Sequence, residues 1–181
     1  MTETVRSTDP LRERHRQLVA QIEDLRIAAA GAADADRAAV QQRVARALAL
    51  LDEGLIPHAR VEEEALYPTV ERLMGSPGCT ATMRRDHVEI SRMTEALRFL
   101  QARLQHNPTR ETNEALRRLL YGLYAVVMLH FAKEEELYLP LLDRKLAGAA
   151  LQRLLSGMHE QPAADAAPAR TELSRISRQA L

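Results

Sequence analysis

The chain has 181 residues, 46% apolar and 28% charged, enough for one domain with a sizeable core. Its 25 basic and 25 acidic side chains cancel, so no net field recruits nucleic acid or an anionic membrane, and with so few aromatics there is no stacking platform for single strands. A single cysteine, Cys79, excludes an intrachain disulfide and a thiolate metal cluster, and suits a reducing compartment.

Residues 1–9 read as a flexible N-terminus without the apolar stretch of a secretory signal. Asp9-Pro10 offers an N-cap followed by proline at the first helical position, and Leu11, Leu18, Ile22 and Leu25 then recur at helical spacing with His15 on their stripe. Gly31 and Asp34 mark a turn. A second helix starts at Asp34 or Asp36 and runs to about Met74, with Val40, Val44, Leu48 and Leu51 on its apolar face. Pro57 and Pro68 inside it predict kinks or local breaks, because each removes a backbone donor. Gly75-Ser76-Pro77-Gly78 is a strong breaker.

A third helix covers Thr80 to Gln105 through Met83, His87, Ile90, Met93 and Leu97. Asn107-Pro108 turns the chain into a fourth, from Thr109 through His130 and Glu134 to Lys145, with Pro140 near its end. Its most apolar run, Leu119 to Leu129, is too short to span a bilayer, so the reading is a cytoplasmic protein that binds no membrane and no nucleic acid. After the domain at 10–147, residues 148–181 read as a short fifth helix (Ala149 to Ser156), a linker, and a weakly amphipathic tail through Leu173, Ile176 and Leu181 that could engage a protein partner. No segment alternates with period two, so the expected fold class is all-α.

Four histidines carry the chemistry. His15 and His58 lie 43 residues apart, as do His87 and His130, and each second histidine has a glutamate four residues on, Glu62 and Glu134. The offset of 72 residues also carries Glu62-Glu63-Glu64 onto Glu134-Glu135-Glu136 and Pro68 onto Pro140. On a helix, residues four apart differ by about 40° in direction, so His58 and Glu62 aim at one interior point, as do His130 and Glu134. Glu63, Glu64, Glu135 and Glu136 are expected to face water. Two inward carboxylates are costly to bury unpaired, which calls for something cationic. Four imidazoles and two carboxylates, without thiolate, suit a pair of iron or manganese ions inside a helical bundle, with zinc as a third choice. A lone His-x-x-x-Glu is commonly a surface ion pair; the matched duplicate sets this one apart.

The pattern His15…His58-x-x-x-Glu62…His87…His130-x-x-x-Glu134 resembles the hemerythrin-like (HHE) cation-binding domain family over about residues 10–145. The resemblance implies an up-down-up-down four-helix bundle around a non-haem, oxo- or hydroxo-bridged di-iron centre, with these six residues as ligands and Glu62 and Glu134 as bridges. It further implies a protein that binds, senses or reduces O2, peroxide or nitric oxide. The chain departs from the oxygen-carrying hemerythrins in two ways. Met83 and Ser91 flank His87 where a fifth histidine would stand, and Glu134 rather than the residue at 135 closes the fourth-helix motif. Two coordination positions then stay open. This weighs against reversible oxygen carriage and toward peroxidatic, catalase-like or oxidase chemistry. The alternatives are an iron-binding or iron-sensing module without turnover, a di-iron oxidase or oxygenase acting on an organic substrate, and a mononuclear or zinc-loaded structural bundle.

Tyr138, Met83 and Ser91 are the candidates for a layer behind the ligands. Met93 and Met128 read as core filling, and His106 and His159 as exposed residues with a cap role.

Overall fold

The computed structural model describes residues 8–31, 37–106, 109–146 and 148–159, with side chains to residue 156. Among these the regular structure is helical throughout, and no strand forms. The tail after Gln161, the side chain of His159 and the turn around Asp34 lie outside the described residues.

Helix α1 (Asp9–Gly31) buries the anticipated stripe, Leu11, His15, Leu18, Ile22 and Leu25, and extends it to Ala28 and Ala29. Its cap is Thr8 rather than Asp9: the Thr8 carbonyl accepts from the amides of Leu11 and Arg12, which puts Pro10 one place further into the helix. The second rod is α2 (Arg37–Leu50), α3 (Ile56–Val61) and α4 (Tyr67–Met74), joined by π-helical turns at Leu51–Leu55 and Glu62–Leu66. It ends at Gly75, whose φ of 62° puts it in the left-handed region that glycine enters without strain. Helix α5 (Ala81–His106) is uninterrupted. The last rod comprises α6 (Arg110–Lys133), a π turn at Glu134–Tyr138 and α7 (Leu139–Lys145), and α8 (Gly148–His159) follows.

The prolines explain the π turns. A proline ring in an α-helix collides with the carbonyl four residues back. For Pro57, Pro68 and Pro140 that carbonyl belongs to Glu53, Glu64 and Glu136, each inside a π turn, where the wider winding moves it away. The predicted local break is therefore an accommodated bulge, and it occurs three times.

Helix α1 packs on α2 and α6, and α5 packs on the same two, so the long helices close a ring of contacts. Facing two neighbours, α6 buries Leu116, Leu120, Leu123 and Val127, while Tyr121 and Leu129 of the uncharged run 119–132 stand exposed. By length and composition alone, Arg110–Lys145 would also qualify as a membrane span; here the rod places two ionisable residues, His130 and Glu134, in the protein interior.

The apolar interior divides in two. The larger cluster holds Leu18, Ile22, Leu25, Leu51, Leu97 and Leu120; the smaller holds Leu66, Tyr67, Met83, Tyr138, Leu139 and Leu142 and is closed by Leu151 and Leu155 of α8. Each fully buried leucine or isoleucine contributes about 1.5–3 kcal/mol. The buried histidines and glutamates appear in neither cluster: they form a polar layer of their own, in contact with Phe131 of the first and Tyr67 of the second.

Candidate metal centre

Four rods supply the layer: His15 from α1, His58 and Glu62 from the second rod, His87 from α5, and His130 and Glu134 from the last. All six are buried, Glu62 and Glu134 completely. Both glutamates open a π turn, and their preceding histidines lie one α-turn earlier.

The polar atoms converge. His58 Nε2 stands 2.8 Å from Glu62 Oε1, and His15 Nε2 stands 3.5 Å from both Glu62 Oε1 and Glu134 Oε2. On the other side His87 Nε2 is 3.5 Å from Glu62 Oε2, and His130 Nε2 is 3.7 Å from Glu134 Oε1 and 3.9 Å from Glu62 Oε2. Two ligand sets result, each with its atoms within 4.8 Å of one another: His15, His58, Glu62 and Glu134 in one, Glu62, His87 and His130 in the other. Glu62 belongs to both.

Proximity here is not hydrogen bonding. His15 Nε2, His58 Nε2, both Glu62 oxygens and Glu134 Oε2 are buried without a hydrogen-bond partner. Even the pair at 2.8 Å, His58 Nε2 and Glu62 Oε1, leaves both atoms without a hydrogen bond. Each orphaned buried polar group costs about 1–3 kcal/mol, and a first-row ion removes that cost by taking nitrogen and oxygen donors at separations of roughly 3 Å. His87 and His130 make the same point. Their Nε2 atoms are 3.0 Å apart, while each Nδ1 faces a carboxylate, Glu63 at 2.8 Å and Asp86 at 3.3 Å. With the Nδ1 protons committed outward, two lone pairs meet, and either an extra proton or a cation must lie between them. The donor set fits a metal.

The outer contacts correct one expectation. Glu63 and Glu135 do not simply face water: Glu63 Oε1 meets His87 Nδ1, and Glu135 Oε1 meets His15 Nδ1 at 3.2 Å. The π turns wind less per residue than an α-helix and keep these two side chains nearer the interior. Asp86, itself paired with Lys133, supports His130. Such contacts fix tautomer and ring orientation. His58 Nδ1 has no such partner among the described residues.

Of the candidates behind the ligands, Ser91 is exposed on α5, although it stands one turn beyond the buried His87. Met83 is buried in the smaller cluster. Tyr138 is buried there too, with its ring 6.2 Å from that of Tyr67. The tyrosine that enters the site is Tyr67. Its hydroxyl donates to Glu134 Oε1 at 2.9 Å and lies 3.2 Å from His87 Nε2, and its ring stacks on His87. Phe131 stacks on His15 at 4.5 Å and closes the opposite side. Neither aromatic recurs at the 72-residue offset, where Leu139 and Ala59 stand, so the repeat gave no signal for them; Glu63 and Glu135 do recur and were legible as a pair. Cys79 is half-buried beside Met74, and His106 bonds the carbonyl of Ala102 at the end of α5.

The charges are arranged unequally. Burial lifts the Glu134 carboxyl well above the usual carboxylate range, and repulsion from Glu62 adds to it. Glu62 is held well below that range: burial opposes ionisation, but His58, His130 and His15 outweigh it. His87 is raised, the pull of Glu62 and Glu63 overcoming burial, and burial beside Glu134 and Glu62 keeps the Tyr67 hydroxyl protonated. In a metal-free layer Glu134 thus holds its proton more tightly than an ordinary carboxyl, and an incoming cation would compete with that proton.

Comparison with curated proteins and with solved structures gives no significant match. The hemerythrin HHE cation-binding domain model matches residues 6–142, and again residues 80–175, the second match starting where the internal repeat begins anew. With the two matches together spanning residues 6–175 and a buried histidine–glutamate cluster able to hold metal, the chain belongs to the hemerythrin HHE cation-binding domain family.

Proposed function

We propose that the polar layer holds two iron ions and that the protein binds, senses or reduces O2, peroxide or nitric oxide there. The observation that carries this reading is the sharing of Glu62, whose two buried oxygens lack a hydrogen bond, between two ligand sets, the first of which also holds the unbonded His15 Nε2, His58 Nε2 and Glu134 Oε2. Nitrogen-rich sets with carboxylate and no thiolate favour iron or manganese. A pair of iron ions would supply the electrons for reducing a small oxidant.

The chain supplies the rest. The His15, His58, Glu62 and Glu134 set and the Glu62, His87 and His130 set would hold one ion each. Tyr67 is the protic group between them, able to hold a proton at Glu134 Oε1 and beside His87 Nε2. A groove of about 610 Å³ between α1 and α6, lined by His15, Val19, Met128, Phe131 and Glu135, brings small molecules to the edge of the first set. Its walls are mainly apolar, which suits uncharged diatomics and peroxide.

Elemental analysis and an electronic spectrum test the reading. Two irons per chain and near-ultraviolet bands of a coupled ferric pair are expected, and a colourless zinc protein would refute it. Mixing the reduced protein separately with O2, peroxide and nitric oxide then divides the three roles, as rapid bleaching or colouring with one and not the others.

A further inference from the structure

Behind the ligands lies a second device that occurs twice. In the first copy, the amide and hydroxyl of Thr8 donate to the two oxygens of Asp143 at 3.0 and 2.9 Å. Arg12, one turn into α1, reaches Asp143 Oδ2 at 3.6 Å with one guanidinium nitrogen and Glu135 Oε2 at 3.4 Å with another. The other Glu135 oxygen meets His15 Nδ1. In the second copy, the Thr80 hydroxyl donates to Glu71, Arg84 donates to the Glu63 carbonyl at 3.3 Å, and Glu63 Oε1 meets His87 Nδ1. Arg84 also lies over the ring of Tyr67, which stacks on the same histidine.

Every member has its counterpart 72 residues away: Thr8 and Thr80, Arg12 and Arg84, His15 and His87, Glu63 and Glu135, with Glu71 answered by Asp143. In both copies a threonine capping one helix is latched to an acid near the end of the rod beside it. The burial of Arg12 is hard to explain by surface pairing: its side chain is 11% exposed, and its Nε is buried without a partner. A guanidinium that gives up water there is doing so to hold Glu135 and Asp143 in place.

We propose that Arg12 is a positioning residue of the metal centre, held by the Thr8–Asp143 latch and fixing the glutamate that orients His15, while Arg84, its counterpart, steadies Glu63 only through the main-chain carbonyl. This rests on the reading that His15 and His87 are ligands. A ligand histidine whose ring is held by a fixed outer carboxylate binds metal more tightly, and losing such a partner lowers affinity by about ten- to a hundredfold.

The test is anaerobic titration of the full chain with ferrous iron against a competing chelator, for Arg12→Met, Asp143→Asn, Glu135→Gln and the Arg12→Met/Glu135→Gln pair. Each single variant should weaken iron binding by about ten- to a hundredfold, with the absorption bands of a cobalt-loaded sample displaced. The double variant should be little weaker than Glu135→Gln alone, because the two act along one line. If Arg12→Met does not fold, the near-isosteric Asp143→Asn carries the test. Variants that only lower the melting temperature of the metal-free protein, with affinity and cobalt spectrum unchanged, would overturn the proposal, as would losses that multiply in the double variant. A wild-type chain that takes up no iron would overturn the metal reading beneath it instead.

Discussion

Residues 8–74 and 80–145 carry the same frame of histidine, histidine, glutamate and latch, yet the two halves surround it differently. Among the described residues the first half's His58 has no outer carboxylate, whereas His130 in the second has Asp86 with Lys133 behind it. Phe131 packs on His15 and borders the groove, whereas a hydroxyl-bearing Tyr67 packs on His87. What the halves share would hold ions; where they differ, one side is open and apolar and the other closed and protic. A duplicated scaffold can thus keep its ligands while giving two metal positions separate tasks.

Breaking the shared element should have the largest effect. Glu62 serves both ligand sets, so Glu62→Gln should lose more affinity than the roughly hundredfold ceiling of an outer partner and take both ions out together. Metal content after dialysis, measured by elemental analysis, checks this, and one ion retained would show that the carboxylate is not shared. His58→Gln strikes one half only. It should reduce the content from two ions to one while His87, His130 and Glu62 keep theirs, and loss of both would show that the halves load as a unit.

Next comes the proton balance of the metal-free chain. Glu134 and His87 both have folded pKa values above their ordinary ones, so the native state holds more protons than the unfolded state as pH rises through that window. Stability must then fall with rising pH, from above the ordinary carboxylate range until His87 is deprotonated. Glu62, held low, acts in the opposite sense, and its contribution disappears only at pH below the ordinary carboxylate range. Metal takes the place of the proton, so the rise in melting temperature on adding ferrous iron should be larger at about pH 8 than at about pH 5.5. A metal-induced rise that is flat with pH would contradict this assignment.

Much of this was legible in the residues alone. The ladder of Leu18, Ile22 and Leu25, and that of Ile90, Met93 and Leu97, set out helices whose buried faces the structure reproduces. Four of the six convergent side chains followed from spacing, because a histidine and a glutamate one turn apart share a direction, and His15 and His87 followed from their matched 43-residue intervals to His58 and His130. Three things did not follow. The winding ahead of each proline depends on a π turn, and helical arithmetic at a fixed 100° per residue misplaces Glu63 and Glu135 within it. Tyr67 enters from a position whose counterpart is Leu139, so no repeat pointed to it. Asp86 reaches His130 from another helix, a contact that only packing defines.

Tyr67 sharpens the difference between the halves at a smaller scale. In Tyr67→Phe the ring still stacks, but Glu134 Oε1 loses its hydrogen bond while remaining buried. The metal-free protein should lose about 1–3 kcal/mol in urea unfolding. The matching change in the other half, Leu139→Met, keeps an apolar side chain of similar volume at a buried position and should cost less than about 1.5 kcal/mol. Equal losses would mean that the hydroxyl contributes nothing beyond packing.

The smallest expected effect runs toward symmetry. Asp86→Asn should weaken only the ion beside His87 and His130, by about tenfold at the low end for an outer partner. The residue 72 positions earlier is Arg14, exposed on α1 one place before His15. Arg14→Asp puts a carboxylate where the frame has its counterpart, on the helix that packs beside the second rod carrying His58. Without a lysine at 61, where Val61 stands, the new acid would lack the anchor that Lys133 gives Asp86, so a gain of a few-fold at the first ion is expected rather than the full tenfold. Iron titration of this variant asks whether the halves differ because of single side chains or because their backbones have diverged: a gain confined to the first ion supports side chains, and no gain means that the repeat extends to the ligands and latches but not to the geometry around His58.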